Sequence, residues 1–408
     1  MVTSLLTISC KESPKTCILK GKIVGFECQS ILLLKAGEDL RFEGLEIPVR
    51  DSIFEYELTF THAEGYNLFL GEAKQRGGGR PMPLILEPGE INITLFPENE
   101  FDKNVVDGGK LNAEFKKFND ELKQKYHSQL KLISDSMGVL FNNGNYYSDT
   151  MKVLNAQLRN AQSQDEKLII YKQRSRIENA GIDLSDSGKR LKARGDKITE
   201  AIINCQMDYI DNNPTIVSYY LLFEMIAYRQ NKINLEKAHN SYKKLAEIHS
   251  GHPYNEHLGN VLNSAINIKV GGKYIDFVAP DMNGNNVRLS DSIKGKIALI
   301  DLWATWCGPC IATSRTMIPI YEEFKDSDFT IIAVAGEFRN TERLQKTLNK
   351  EKFPWINLVE LDKQSKIWDK YGCSNSGGST FLVDKDGSIL AVNPSAEEVK
   401  EILNEKLM

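Results

Sequence analysis

Ile297-Ala298-Leu299-Ile300-Asp301-Leu302-Trp303-Ala304-Thr305-Trp306 is an almost wholly apolar run that stops against Cys307-Gly308-Pro309-Cys310. Side chains on a strand alternate between two faces, so a run apolar at odd and even positions alike leaves no face for water. It reads as a central strand covered on both sides. The next residues are constrained as well. Pro309 fits the first turn of a helix, where no N–H is required of it, so the chain passes from buried strand to helix at Cys307. Unpaired N–H groups and the macrodipole at such a helix start favour a thiolate over a thiol. Two thiols three residues apart can close into a tight disulfide ring and open again, with the thiolate as the attacking species.

Two plainer readings stand beside this one. A Cys-x-x-Cys can be half of a zinc site, but zinc takes four ligands, usually with a second pair at similar spacing. Cys17, Cys28, Cys205 and Cys373 are scattered and form no such pair. The other plain reading is a structural pair that never cycles. A cysteine built to reduce peroxide would want an activating arginine and threonine, and no partner thiol three residues on. The redox pair Cys307–Cys310 is the reading the motif favours.

Asp301 is the only charged residue in the apolar run. A carboxylate on a strand covered on both faces is desolvated, so its pKa should rise towards neutrality, where it can take a proton. The thiol that needs to lose one is Cys310, which must attack a mixed disulfide on Cys307. An exposed aspartate at a strand end is the plain alternative.

With these residues in view, 270–404 resembles the thioredoxin superfamily, specifically the TlpA/ResA-like envelope thiol–disulfide oxidoreductases. Trp306-Cys307-Gly308-Pro309-Cys310 matches the thioredoxin pentapeptide at every position, and Asp301 falls where that family has its buried aspartate. Phe277-Val278-Ala279-Pro280-Asp281, Gly284 and Leu289-Ser290-Asp291 are similar to the entry segment of TlpA-like domains. The resemblance implies an α/β thioredoxin-like fold, a mixed sheet with helices on both faces, over 268–408. It implies Cys307 as nucleophile and Cys310 as resolver, with Trp306, Gly308 and Pro309 in support. It also implies no cofactor and no bound metal, disulfide-containing envelope proteins as substrates, and an upstream thiol electron donor. One departure stands out. The family's cis-proline loop corresponds to Ser374-Asn375-Ser376-Gly377-Gly378-Ser379, with Gly378 in the proline's place. Cis bonds belong to proline, so this substrate loop, Gly378 and Ser379 above all, is expected to be trans. That departure favours an alternative function: a binding or assembly protein on a thioredoxin-like scaffold with attenuated redox activity.

The rest of this domain alternates strand and helix signals and ends in a hairpin turned at Asp384-Lys385-Asp386-Gly387. Upstream, 15–107 reads as an antiparallel β-sandwich-like domain. Phe54, Tyr56, Leu58 and Phe60 alternate, and Pro83–Phe96 reads as a hairpin turned at Glu87-Pro88-Gly89-Glu90. The Gly77-Gly78-Gly79 run lacks the lysine end of a phosphate loop and reads as a hairpin loop. Residues 108–267 carry helical spacing, beginning with Leu111, Phe115, Phe118, Leu122, Tyr126 and Leu130. His249, His252 and His257 do not form a metal-ligand pattern on one helix face, because Pro253 interrupts.

Residues 1–14 read as a truncated lipoprotein-type leader. Leu5-Leu6-Thr7-Ile8-Ser9-Cys10 ends like a lipobox, with Cys10 as the candidate lipidation site, although the positive start of a signal peptide is missing. Lipidation would tether the protein to a membrane. The expected place is then the periplasmic side of the cell envelope of a Gram-negative bacterium, as an anchored lipoprotein, where a disulfide enzyme is at home. A formal charge of −4 and a pI near 6.0 give no electrostatic case for nucleic acid.

Overall fold

A computed structural model describes residues 13–40, 44–76, 78–229, 232–373 and 377–407. The expected leader with Cys10, and Ser374 to Ser376 of the substrate loop, lie outside the described residues. The chain divides into two compact units. One takes Met1–His127, Ile202–Ile233 and Asn240–Asn255; the other takes Ser128–Ala201, Asn234–His239 and Glu256–Met408.

The first unit begins with strands β1 (Lys15–Ile23), β2 (Ser30–Lys35), β3 (Leu45–Pro48), β4 (Ile53–Phe60) and β5 (Glu64–Leu70). A short helix α1 (Glu72–Arg76) precedes β6 (Met82–Leu86), β7 (Gly89–Leu95) and β8 (Val105–Asp107). They form two four-stranded sheets, ordered β4-β1-β7-β8 and β3-β2-β5-β6. Alternation explains the first strand: Cys17, Leu19 and Ile23 point inward from β1 and join Ile31, Leu33, Leu68 and Leu84 of the other sheet in one apolar cluster. Gly78 and Gly79 of the glycine run fall in the connection between the antiparallel strands β5 and β6.

Residues 83–96 are not a hairpin. Strands β6 and β7 lie in different sheets, and β7 runs parallel to β1, pairing Ile91 with Leu19. The expected turn residue Glu87 has another task. Its carboxylate accepts from the backbone N–H groups of Lys110 (2.9 Å), Leu111 (2.8 Å) and Asn112 (3.0 Å). These start helix α2 (Lys110–Asn142), whose first N–H groups have no partner within the helix.

Helices continue as α3 (Asp149–Asn160), α4 (Gln164–Asn179), α5 (Asp186–Asn212), α6 (Ile216–Arg229), α7 (Leu235–Ile248) and α8 (Tyr254–Asn267). Helix α6 is apolar nearly all round and is buried in the first unit, with the Tyr220 ring seated where Gly65 has no side chain. The three histidines go to three separate partners. His249 Nε2 lies 3.1 Å from the Pro214 carbonyl and His252 Nε2 2.9 Å from that of Ala63, while His257 Nδ1 is 3.4 Å from Asp369.

The second unit contains β9 (Val278–Pro280), β10 (Asn286–Arg288), α9 (Leu289–Ser292), β11 (Ile297–Trp303), α10 (Gly308–Phe324), β12 (Phe329–Glu337) and α11 (Glu342–Glu351). It ends with β13 (Ile356–Leu361), α12 (Ile367–Lys370), β14 (Ser379–Val383), β15 (Ile389–Val392) and α13 (Ala396–Leu407). Its sheet runs β13-β12-β11-β14-β15, with β11 parallel to β12 and antiparallel to β14. This is a thioredoxin-like mixed sheet. Strand β11 is buried at every position. Ala298, Ile300 and Leu302 feed one apolar cluster, while Ile297, Leu299 and Trp303 feed a second. The sheet is thus covered on both faces, and its central strand delivers the chain directly to Cys307.

Candidate active site

Strand β11 ends at Trp303, and beyond a short connection Cys307 caps α10, accepting from the Cys310 backbone N–H at 3.3 Å. Cys307 and Cys310 are disulfide-bonded, with Cα atoms 5.3 Å apart. Both are half-buried, whereas Gly308 and Pro309 are exposed. Pro309 sits in the first turn of α10, as its missing N–H allows. On reduction, a Cys307 thiolate would face the positive end of this helix.

Asp301 lies two residues before the end of β11 and is 3 % exposed. Burial pushes its carboxyl from 3.8 up to about 7, against a smaller opposing pull from the Ser314 hydroxyl. That hydroxyl donates to Asp301 Oδ2 at 2.7 Å and lies 3.1 Å from the Cys310 carbonyl, one turn back on the same helix. Ser314 therefore links the buried acid to the helix that carries both cysteines. Sequence reading passed over it, although a serine four residues after Cys310 on a helix is placed for this contact.

A second buried carboxylate was also missed. Glu337, at the end of β12, is 5 % exposed. It accepts from the Thr305 backbone N–H and from the Thr305 hydroxyl, both at 2.8 Å. Arg343 donates to the Thr305 carbonyl at 3.1 Å, and the Trp306 indole N–H donates to the Gly336 carbonyl at 3.1 Å. The two residues before Cys307 are thus tied to β12 and α11. Burial raises the Glu337 carboxyl, offset by the two Thr305 bonds and by the charge of Arg343.

Beside the disulfide lies the loop with Gly377 and Gly378. A Cβ at Gly378 would come within 1.9 Å of the Leu302 carbonyl oxygen and 2.9 Å of Cys310 Sγ. Gly377 has φ +98° and would place a Cβ 3.8 Å from Cys307 Sγ. No peptide bond among the described residues is cis. Ser379 and Thr380 open β14, opposite Leu302 and Asp301. Cys373 is buried nearby, and burial pushes its thiol up to about 12, so it stays protonated near neutral pH. Among the described residues no cluster of His, Cys, Asp and Glu is placed to hold a metal, and no helix is long and apolar enough to cross a membrane.

The disulfide opens onto a groove of about 990 Å³. Helix α10 lines it with Cys310, Thr313 and Thr316, and the loop does so with Gly377 and Gly378. Helix α4 contributes Ile169, Lys172 and Arg176, and the start of α13 contributes Glu397 and Glu398.

Residues 270–392 match the AhpC/TSA family. The chain is 33 % identical over 143 residues to the thiol-disulfide oxidoreductase ResA of Bacillus thuringiensis subsp. konkukian, covering 34 % of this chain and 78 % of that one. It is 32 % identical over 126 residues to ResA of Bacillus subtilis, covering 31 % and 67 %. Among solved structures, it is similar to the thioredoxin domain of a thiol-disulfide oxidoreductase from Bacteroides vulgatus. That match has 26 % identity and a TM-score of 0.32, and covers 34 % of this chain and 99 % of that one.

Proposed function

The chain belongs to the ResA thiol–disulfide oxidoreductases, and from that premise we propose that it reduces or exchanges disulfides of envelope proteins through Cys307 and Cys310. The observation that carries this reading is the stacking of three groups along one path. Cys307 caps α10, Cys310 is bonded to it one turn in, and Asp301 is buried on the strand behind and tied to α10 through Ser314.

In the reduced protein the Cys307 thiolate attacks one sulfur of a substrate disulfide. The S–S bond breaks, the leaving sulfur takes a proton, and a mixed disulfide forms on Cys307. Cys310 then gives up its proton, with Asp301 as acceptor, and attacks Cys307 Sγ. The second substrate sulfur leaves as a thiol, and the Cys307–Cys310 disulfide is restored. Two electrons pass from the pair to the substrate; of the two protons the product thiols gain, one comes from Cys310 by way of Asp301 and the other from solvent, since Cys307 enters as a thiolate. A thiol donor must return the electrons before the next turnover. Trp306, Gly308 and Pro309 hold the pair in place, while Gly378 and Ser379 border the approaching chain.

The two sheets over 15–107 are read as a sandwich-like domain, 108–267 as a helical region and 268–408 as the redox domain. With Cys10 lipidated, the protein would be tethered at the periplasmic side of the envelope. The second reading, a binding protein with attenuated turnover, draws on Gly378 standing in the proline's place. Trapping decides between them. Cys310→Ser should accumulate mixed disulfides with partner proteins, and Cys307→Ser should not. Equal trapping by both variants, or none by either, contradicts the assigned division of labour.

A further inference from the structure

The groove at the disulfide is not built from the redox domain alone. Helix α4, far upstream in sequence, brings Lys172 and Arg176 to it, together with Ile169, whose side chain is 57 % exposed. Glu397 and Glu398, in the first turn of α13, line the same groove. The Glu397 carboxyl is held below its usual range by its own backbone N–H, by the Ser395 hydroxyl and by the charges of Lys172 and Arg176. Cations, carboxylates and exposed apolar carbon therefore converge on one dithiol.

A small disulfide needs none of these groups, since it has only to reach Cys307. A volume of about 990 Å³ is at the upper end of what encloses a drug-sized ligand, and a groove open to solvent admits a chain running through it. We propose that α4 and the start of α13 make this a selecting groove for an extended, cysteine-bearing polypeptide segment. That segment carries an apolar residue and charges of both signs beside its cysteine. Its acidic side chain pairs with Lys172 and Arg176, its basic one with Glu397 and Glu398, and its apolar residue covers Ile169. The inference rests on the oxidoreductase reading and names the substrate class for it. Electron transfer is the two-step exchange described above, with the reduced pair as donor. Pairs at a solvated rim are individually weak, so selection shows as a rate preference that salt screens.

The test uses the full chain, reduced with dithiothreitol and then freed of it. Two probe peptides each carry one cysteine in disulfide linkage to nitrothiobenzoate. One has leucine beside the cysteine with glutamate and lysine flanking; the other has only glycine and serine. Release of nitrothiobenzoate should be about tenfold faster from the charged peptide at low salt, and the preference should fade with added salt. Lys172→Glu with Arg176→Glu should abolish the preference, so that on the variant the charged peptide is reduced no faster than the glycine–serine peptide. Equal rates in the parent protein, or a preference that survives the double variant, overturns the proposal. Should the parent reduce neither peptide nor free dithiobis(nitrobenzoate), the oxidoreductase reading fails instead. The groove is then judged by fluorescence anisotropy with the charged peptide, its cysteine changed to serine. Binding by the parent and not by the variant upholds it; binding by both or by neither overturns it.

Discussion

Burial holds the Asp301 carboxyl near 7 instead of 3.8, against the weaker opposite pull of Ser314. Between about pH 4 and 7 the folded protein keeps a proton that the unfolded chain has lost, so stability falls as pH rises through that window and levels off above it. Asp301→Asn removes this titration. The variant should be more stable than its parent at pH 8, by roughly 4 kcal/mol at most, and the gain should vanish near pH 4. Urea unfolding at the two pH values reads it; an equal gain at both would mean that Asp301 is not the titrating group. The same variant should slow release of the mixed disulfide on the order of 10²-fold, since only that step calls on the carboxyl. Asp301 was legible in the sequence because a lone charge in an apolar strand is a local pattern. Ser314 belongs to the same contact but looked like any helical serine until the helix was laid against the strand.

At the scale of elements, the approach to Cys307 depends on β12. Glu337 takes both donors of Thr305, and Arg343 takes its carbonyl. Glu337→Ala leaves two buried donors unpaired, a cost of about 1–3 kcal/mol for each, and should slow alkylation of Cys307 in the reduced protein several-fold. Glu337→Gln should restore the rate, because its carbonyl can accept from the N–H while its amide donates to the hydroxyl. An alanine variant alkylated at the parent rate would show that Cys307 does not depend on this clamp. Such a contact spans 32 residues of sequence, and no motif announces it. The misread hairpin has a related cause. Glu87-Pro88-Gly89 carries turn chemistry whether the next strand folds back or crosses to another sheet, and only the pairing of β7 with β1 shows which. Gly378 is informative in the other direction. The sequence marks it as a missing proline, while the structure shows a position with no room for any Cβ beside Leu302 and Cys310.

For the molecule as a whole, the chemistry was readable and the company it keeps was not. The pentapeptide, the covered strand and the closing hairpin at Gly387 are short-range signals, and the sheet β13-β12-β11-β14-β15 assembles around them. That α4 would line the same groove as Cys307 follows from tertiary packing, which helical spacing in residues 164–179 does not encode. Turnover of either kind requires that Cys307 and Cys310 form a reversible couple. Reduced and oxidised glutathione mixtures, followed by alkylation and mass measurement of the two thiols, test it most directly. One two-electron transition is predicted, with a tenfold change in equilibrium for about every 30 mV, and it should be absent in both Cys307→Ser and Cys310→Ser. A pair that stays oxidised or stays reduced across the whole range, with no reversible transition, would contradict the account.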